Sequence, residues 1–110
     1  MKGKRVIPRP RATEDAEEAV RHYIDADAAQ AALGFIAALE QAYARLAVHP
    51  AIGSPRYAHE LGLPGLRCWP LARFPYLVFY AERAEYIDVW RVLHSRQDIP
   101  EWMQEPDTQG

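Results

Sequence analysis

Near its C-terminus the chain reads DVWRVLHSRQDIPEWM, residues 88–103, and this run gathers Arg91, His94, Arg96 and Asp98. Arginine grips anions through a planar fork of donors, and histidine exchanges a proton near neutral pH. The run could therefore hold a negatively charged target or, with suitable neighbours, carry out acid–base chemistry. Spacing excludes several other chemistries. Ser54 and Ser95 are the only serines, and neither sits in a Gly-x-Ser-x-Gly turn. Ser95 next to His94 is no catalytic pair, because neighbours on a strand point to opposite faces. His22, His49, His59 and His94 form no i, i+4 pair, and no carboxylates lie at metal-ligand spacing, so neither a metal nor another cofactor is expected. Cys68 is the single cysteine. It rules out a disulfide framework, reads as a small buried hydrophobe, and suits the reducing cytoplasm.

The other cations are unevenly spread. Residues 1–11 carry Lys2, Lys4, Arg5, Arg9 and Arg11 without an acid, residues 12–30 carry six acids against Arg21, and the whole chain has a net charge of −2. A protein that binds nucleic acid mainly through phosphates would be more basic, so a protein partner is favoured. Strand alternation gives Arg67 and Arg73 the same parity. On the last strand it puts Ile87, Val89, Arg91 and Leu93 on one face and Asp88, Trp90, Val92 and His94 on the other. A bulge would reverse that phase. Within so apolar a strand, Arg91 either faces a target or pairs with Asp88, Asp98 or Glu82. If Arg91 and Arg96 face a target, Arg91→Ala and Arg96→Ala should abolish activity at nearly constant thermal stability. Asp98 fits an N-cap with Pro100 near the first helical position, and Trp102 would fold back onto the sheet.

The elements that must position these residues can be read from periodicity. At 110 residues the chain is one domain, 1–110, with about 104–110 a flexible tail. No run approaches the roughly 18 apolar residues of a membrane span, and no apolar segment follows the basic start MKGKRVIPRP as in a secretory signal. Residues 4–7 read as a strand ended by Pro8 and Pro10. Thr13 reads as an N-cap, followed by acids in the first turn. Ala12, Ala16, Ala19, Val20, Tyr23 and Ile24 form one helical face. The phase changes at Asp25–Asp27, and a second helix puts Leu33, Ile36, Leu39, Tyr43 and Leu46 on one stripe before Pro50. Gly34 inside it suggests a close helix approach. Residues 49–65 read as an irregular loop. LRCWPLARF, YLVFYA and YIDVWRVL then read as strands, with Pro70 marking an edge and YLVFYA the centre. The order strand, two helices, three strands and a short helical turn indicates an α+β fold, with the helical hairpin on one face of an antiparallel-rich sheet and the other face partly open.

The sequence of these pieces, with "LPGLR", "FPYLVFY" and "IDVWRVLHSRQDIPEW", resembles the ParE/RelE superfamily of type II toxin–antitoxin toxins over residues 4–103. The resemblance implies one of two activities. RelE-like members cleave messenger RNA in the ribosome with basic residues on the central strands and an aromatic near the C-terminus. ParE-like members lack that set and poison DNA gyrase. Here the positions matching the strand cations are Cys68, Pro70 and Leu77, which supply no charge. Arg91, His94, Arg96 and Trp102 are what remains for a rearranged ribonuclease site. The ParE branch is therefore expected: a growth-inhibiting, gyrase-directed toxin using Arg67, Arg73, Arg91, His94 and Arg96 as target-binding residues. The ribosome-dependent endoribonuclease, or a non-toxic binding module of the same fold, is the alternative. The resemblance also implies a cognate antitoxin in a toxin–antitoxin hetero-oligomer. Its docking surfaces would be the exposed sheet edge and the apolar stripe of the hairpin.

Overall fold

The computed structural model describes residues 3–97 and 99–103. The chain runs β1 (Arg5–Pro8), α1 (Pro10–Asp25), α2 (Ala29–Val48), α3 (Arg56–Leu61), β2 (Leu66–Pro70), β3 (Tyr76–Glu82), β4 (Tyr86–His94) and α4 (Ile99–Met103). The sheet order is β1-β4-β3-β2. β1 lies parallel to β4, and the other pairs are antiparallel. The α+β layout is as the periodicity indicates, with β2 at an edge and β3 in the interior.

Several boundaries differ for identifiable reasons. α1 starts at Pro10, whose fixed φ and missing N–H suit a first helical position, so Thr13 is not the cap. The acids from Glu14 onward consequently lie beyond the first turn. The helices separate at Ala26–Ala28, where Asp27 takes φ 57°, a left-handed conformation that aspartate tolerates better than most residues.

α2 buries a different stripe from the one its large residues suggest. Ala32, Phe35, Ala38, Ala42 and Leu46 face the interior, whereas Leu33 is 62% exposed and Ile36 40% exposed. Small alanines let the helix lie close to its neighbours, and Phe35 fills the remaining space among Tyr23, Phe74 and Tyr76. Gly34 is approached by a ring instead of a helix: a Cβ there would sit 3.2 Å from Phe74 Cζ. By length and composition alone α2 would pass for a membrane span, which corrects the count of apolar runs. Its inward face instead packs in the core of the hairpin.

The second sheet face is covered, not open. Within the stretch expected to be loop, α3 presents Tyr57, Ala58 and Leu61 to a second core with Leu66, Phe79, Trp90 and Leu93, and α4 adds Ile99 and Met103. Gly62 ends α3 at φ 65°, where a glycine avoids the Cβ clash. Two covered faces explain why β3 and β4 are apolar nearly throughout.

A bulge inverts the phase of β4. Phe79 pairs with Arg91 but Tyr80 with Val89, leaving Trp90 as the extra residue. Ile87 and Val89 thus share the hairpin-side core with Val92, while Trp90 and Leu93 share the other.

The loop before α3 is tied to β3 by Tyr80. Its hydroxyl accepts from the Gly53 N–H at 2.9 Å and donates to the Pro50 carbonyl at 2.7 Å. A Cβ on Gly53 would stand 2.6 Å from that hydroxyl and 2.9 Å from the Cys68 carbonyl oxygen. Gly53→Ala is expected to cost about 1–3 kcal/mol, read as a lower urea midpoint by circular dichroism.

Candidate functional site

Arg91 belongs to the core. It is 0% exposed, and its Nε and Nη2 donate to the two carboxylate oxygens of Asp15 at 2.7 and 2.9 Å. The Val92 N–H adds a third bond to the same carboxylate at 3.0 Å. Arg91 thus cannot present itself to a target, and the carboxylate it grips among the described residues comes from α1, not from Asp88 or Glu82. A signal was present: Asp15 lies on the helical face of Ala12 and Ala19, where a carboxylate requires a partner. Asp98, Trp102's side chain and the 104–110 tail lie outside the described residues.

Asp88 organises a second cluster at the start of β4. It accepts from Arg9 Nε and Nη2 at 3.1 Å each, from Arg83 Nε and Nη2 at 3.1 and 3.0 Å, and from Trp90 Nε1 at 3.1 Å. The Arg9 guanidinium also covers the Trp90 ring at 4.6 Å. Burial pushes the Asp88 carboxyl upward, but the bonds from Arg9, Arg83 and Trp90 outweigh it and hold it below its ordinary value of 3.8. A carboxyl so depressed adds stability above its unfolded pKa and loses that contribution as pH falls through the lower, folded value. Urea unfolding should show stability dropping below about pH 4, and Asp88→Asn should flatten that drop. An equal acid response in both proteins would contradict the assignment.

The remaining expected site residues are held by separate elements. Arg67 Nη1 donates to the Ala51 and Gly53 carbonyls at 3.2 and 2.7 Å, pinning the loop before α3. Arg73 is exposed in the β2–β3 turn at φ 70°. Of the described ones, His94 and Arg96 come together: His94 Nδ1 accepts from the Arg96 N–H at 3.1 Å, and its ring meets Tyr76 edge-on at 5.1 Å. The His94 N–H donates to Gln97 Oε1 at 2.6 Å. Cys68 is buried, and burial pushes its thiol up despite the nearby Arg56 charge, so it is a poor nucleophile. Leu77 packs against the second core.

An open groove of about 560 Å³ runs between α1 and α2. Ala16, Val20, Leu39 and Tyr43 form its floor, with Glu17, Arg21 and Glu40 at the rim. Its lips, Ile24 and Ile36, are 57% and 40% exposed. Burial and the Asp15 charge push the Tyr43 phenol up to about 12, keeping it neutral. Helical periodicity indicates the apolar stripe of the hairpin but includes Leu33, which lies outside the groove.

The sheet edges offer less. Ser54 and Cys68 exchange backbone bonds of 2.8 and 2.9 Å along the outer side of β2, and Pro70 has no N–H to give. On β1, Pro8 again lacks a donor.

No curated protein matches the sequence. Among solved structures, a chain of the chromosomal ParDE toxin–antitoxin system from P. aeruginosa has the same fold. The TM-score is 0.69 at 18% identity, covering 83% of this chain and 95% of that one. The family model described as ParE toxin of the type II toxin–antitoxin system parDE matches residues 6–99. The helical hairpin, the doubly covered sheet and this match across most of the sequence place the chain in the ParE toxin family of type II toxin–antitoxin systems.

Proposed function

We propose that this chain is the growth-inhibiting half of a cytoplasmic toxin–antitoxin pair, acts by binding DNA gyrase, and is neutralised when a cognate antitoxin lays an amphipathic helix into the α1–α2 groove. The groove carries the reading: a folded hairpin leaves Ile24 and Ile36 exposed beside an apolar floor, and an apolar helix face buries such a surface efficiently. Its two glutamates against one arginine favour a basic helix. RNA cleavage finds less support. Arg91 is spent on Asp15, Cys68 is buried, and neither Pro70 nor Leu77 can steady a phosphate in the transition state.

Expression from a tightly controlled promoter tests the target. Growth arrest with DNA-damage signalling and a supercoiling defect is the expected result, relieved by co-expression of the neighbouring antitoxin. Rapid loss of translation with cut transcripts would replace gyrase by the ribosome, and normal growth would leave a non-toxic binding module.

A further inference from the structure

A second cleft runs along a different face of α2. Two hollows of about 450 and 340 Å³ share Ala38, Gln41 and Ala72 and so form one trough between the helix and the β2–β3 connection. Its floor is alanine-rich and narrow in side-chain bulk, closed at one end by Phe74 against Gly34. Among the described residues, the charged ones lining it are Arg45, in the last turn of α2, and Arg73. Both are exposed, and neither side chain has a partner among the described residues. Trp69 also lines the trough, and among the described residues no carboxylate does. The α1–α2 groove has the opposite character, with glutamates at its rim.

Arg73 is also held at φ 70°. That conformation costs a residue with a Cβ roughly 1–2 kcal/mol, and a glycine would avoid it. The arginine is therefore not there to stabilise the turn.

We infer that this trough is a second protein-docking surface, separate from the antitoxin groove, that takes an acidic segment with small side chains, its carboxylates reaching Arg45 and Arg73. The assignment stands whether or not the chain is toxic. A nucleic-acid strand fits less well: two arginines above an apolar floor, on a chain of net charge −2, offer too few phosphate contacts.

The test uses the full chain and a fluorescein-labelled peptide of alternating glutamate and alanine, followed by anisotropy and amide chemical-shift mapping. Binding should weaken with salt and shift the amides of Gln41, Ala72 and Phe74. Arg45→Glu combined with Arg73→Glu should weaken it at least about tenfold, a change of roughly 1.4 kcal/mol. Arg73→Gly should weaken it severalfold while leaving the chain as stable as before or more so, which separates lost binding from lost fold. No detectable binding at low salt would overturn the proposal. So would unchanged affinity in the variants, shifts centred on Arg56 or Arg96, or tighter binding of a lysine–alanine peptide or a single-stranded oligonucleotide.

Discussion

Asp15→Ala is expected to leave most of the chain unfolded in conditions where the parent is folded. The substitution takes the two-pronged carboxylate from a guanidinium that is 0% exposed and removes the acceptor of the Val92 N–H. Breaking a buried pair from one side costs about 3–5 kcal/mol, a large share of the roughly 5–15 kcal/mol that holds a domain together. Arg91→Ala should behave similarly, leaving the Asp15 carboxylate buried and opening a cavity. This reverses the expectation that Arg91→Ala would spare stability. Replacing both partners by apolar residues, Asp15→Leu with Arg91→Met, should recover much of the loss, because the penalty comes from the unpaired charge. Urea denaturation followed by circular dichroism measures all four proteins. Single variants within about 0.5 kcal/mol of the parent, the ordinary range for surface changes, would show that the pair does not hold the hairpin to the sheet.

That pair also shows where the sequence stops being legible. Element types were readable because periodicity changes with them: the alanine-rich helices, Pro70 at an edge and the unbroken apolar run of β3 each announce their setting. Burial within an element was less readable. In α2 the large residues Leu33 and Ile36 suggested the inward face, but close packing selected Ala32, Ala38 and Ala42. In β4 alternation failed at Trp90, because one extra residue exchanges the faces of everything beyond it. α3 was hidden between prolines and glycines, and only Tyr57 and Leu61 hint at its apolar side.

The same limits applied to the candidate site. Cations were recognisable as cations, but whether each was free depended on residues far away in the chain. Arg91 meets Asp15 across the sheet–helix interface, and Arg67 is consumed by carbonyls of the preceding loop. Arg73 and Arg96 are the expected target-binding arginines that remain exposed. The open binding capacity thus moved from the strand faces, which are covered on both sides, to the helices. Both clefts flank α2, and they differ in the sign of their charges.

Ile24→Glu combined with Ile36→Glu should separate neutralisation from folding. Both side chains are substantially exposed in the free chain, so the change should alter stability by no more than about 0.5 kcal/mol per site. Against an antitoxin helix the outcome differs, since each isoleucine would be buried. Burying a side chain of this size contributes about 1.5–3 kcal/mol, and desolvating a carboxylate in its place adds to the loss. The double variant should bind antitoxin roughly a hundredfold to ten-thousandfold more weakly, as measured by calorimetry, and co-expressed antitoxin should no longer restore growth. Leu33→Glu provides the control, because Leu33 is 62% exposed but lies outside the groove; it should remain fully neutralised. Normal rescue of the double variant would remove the groove from antitoxin recognition. Loss of toxicity with antitoxin binding intact would instead assign the groove to the cellular target.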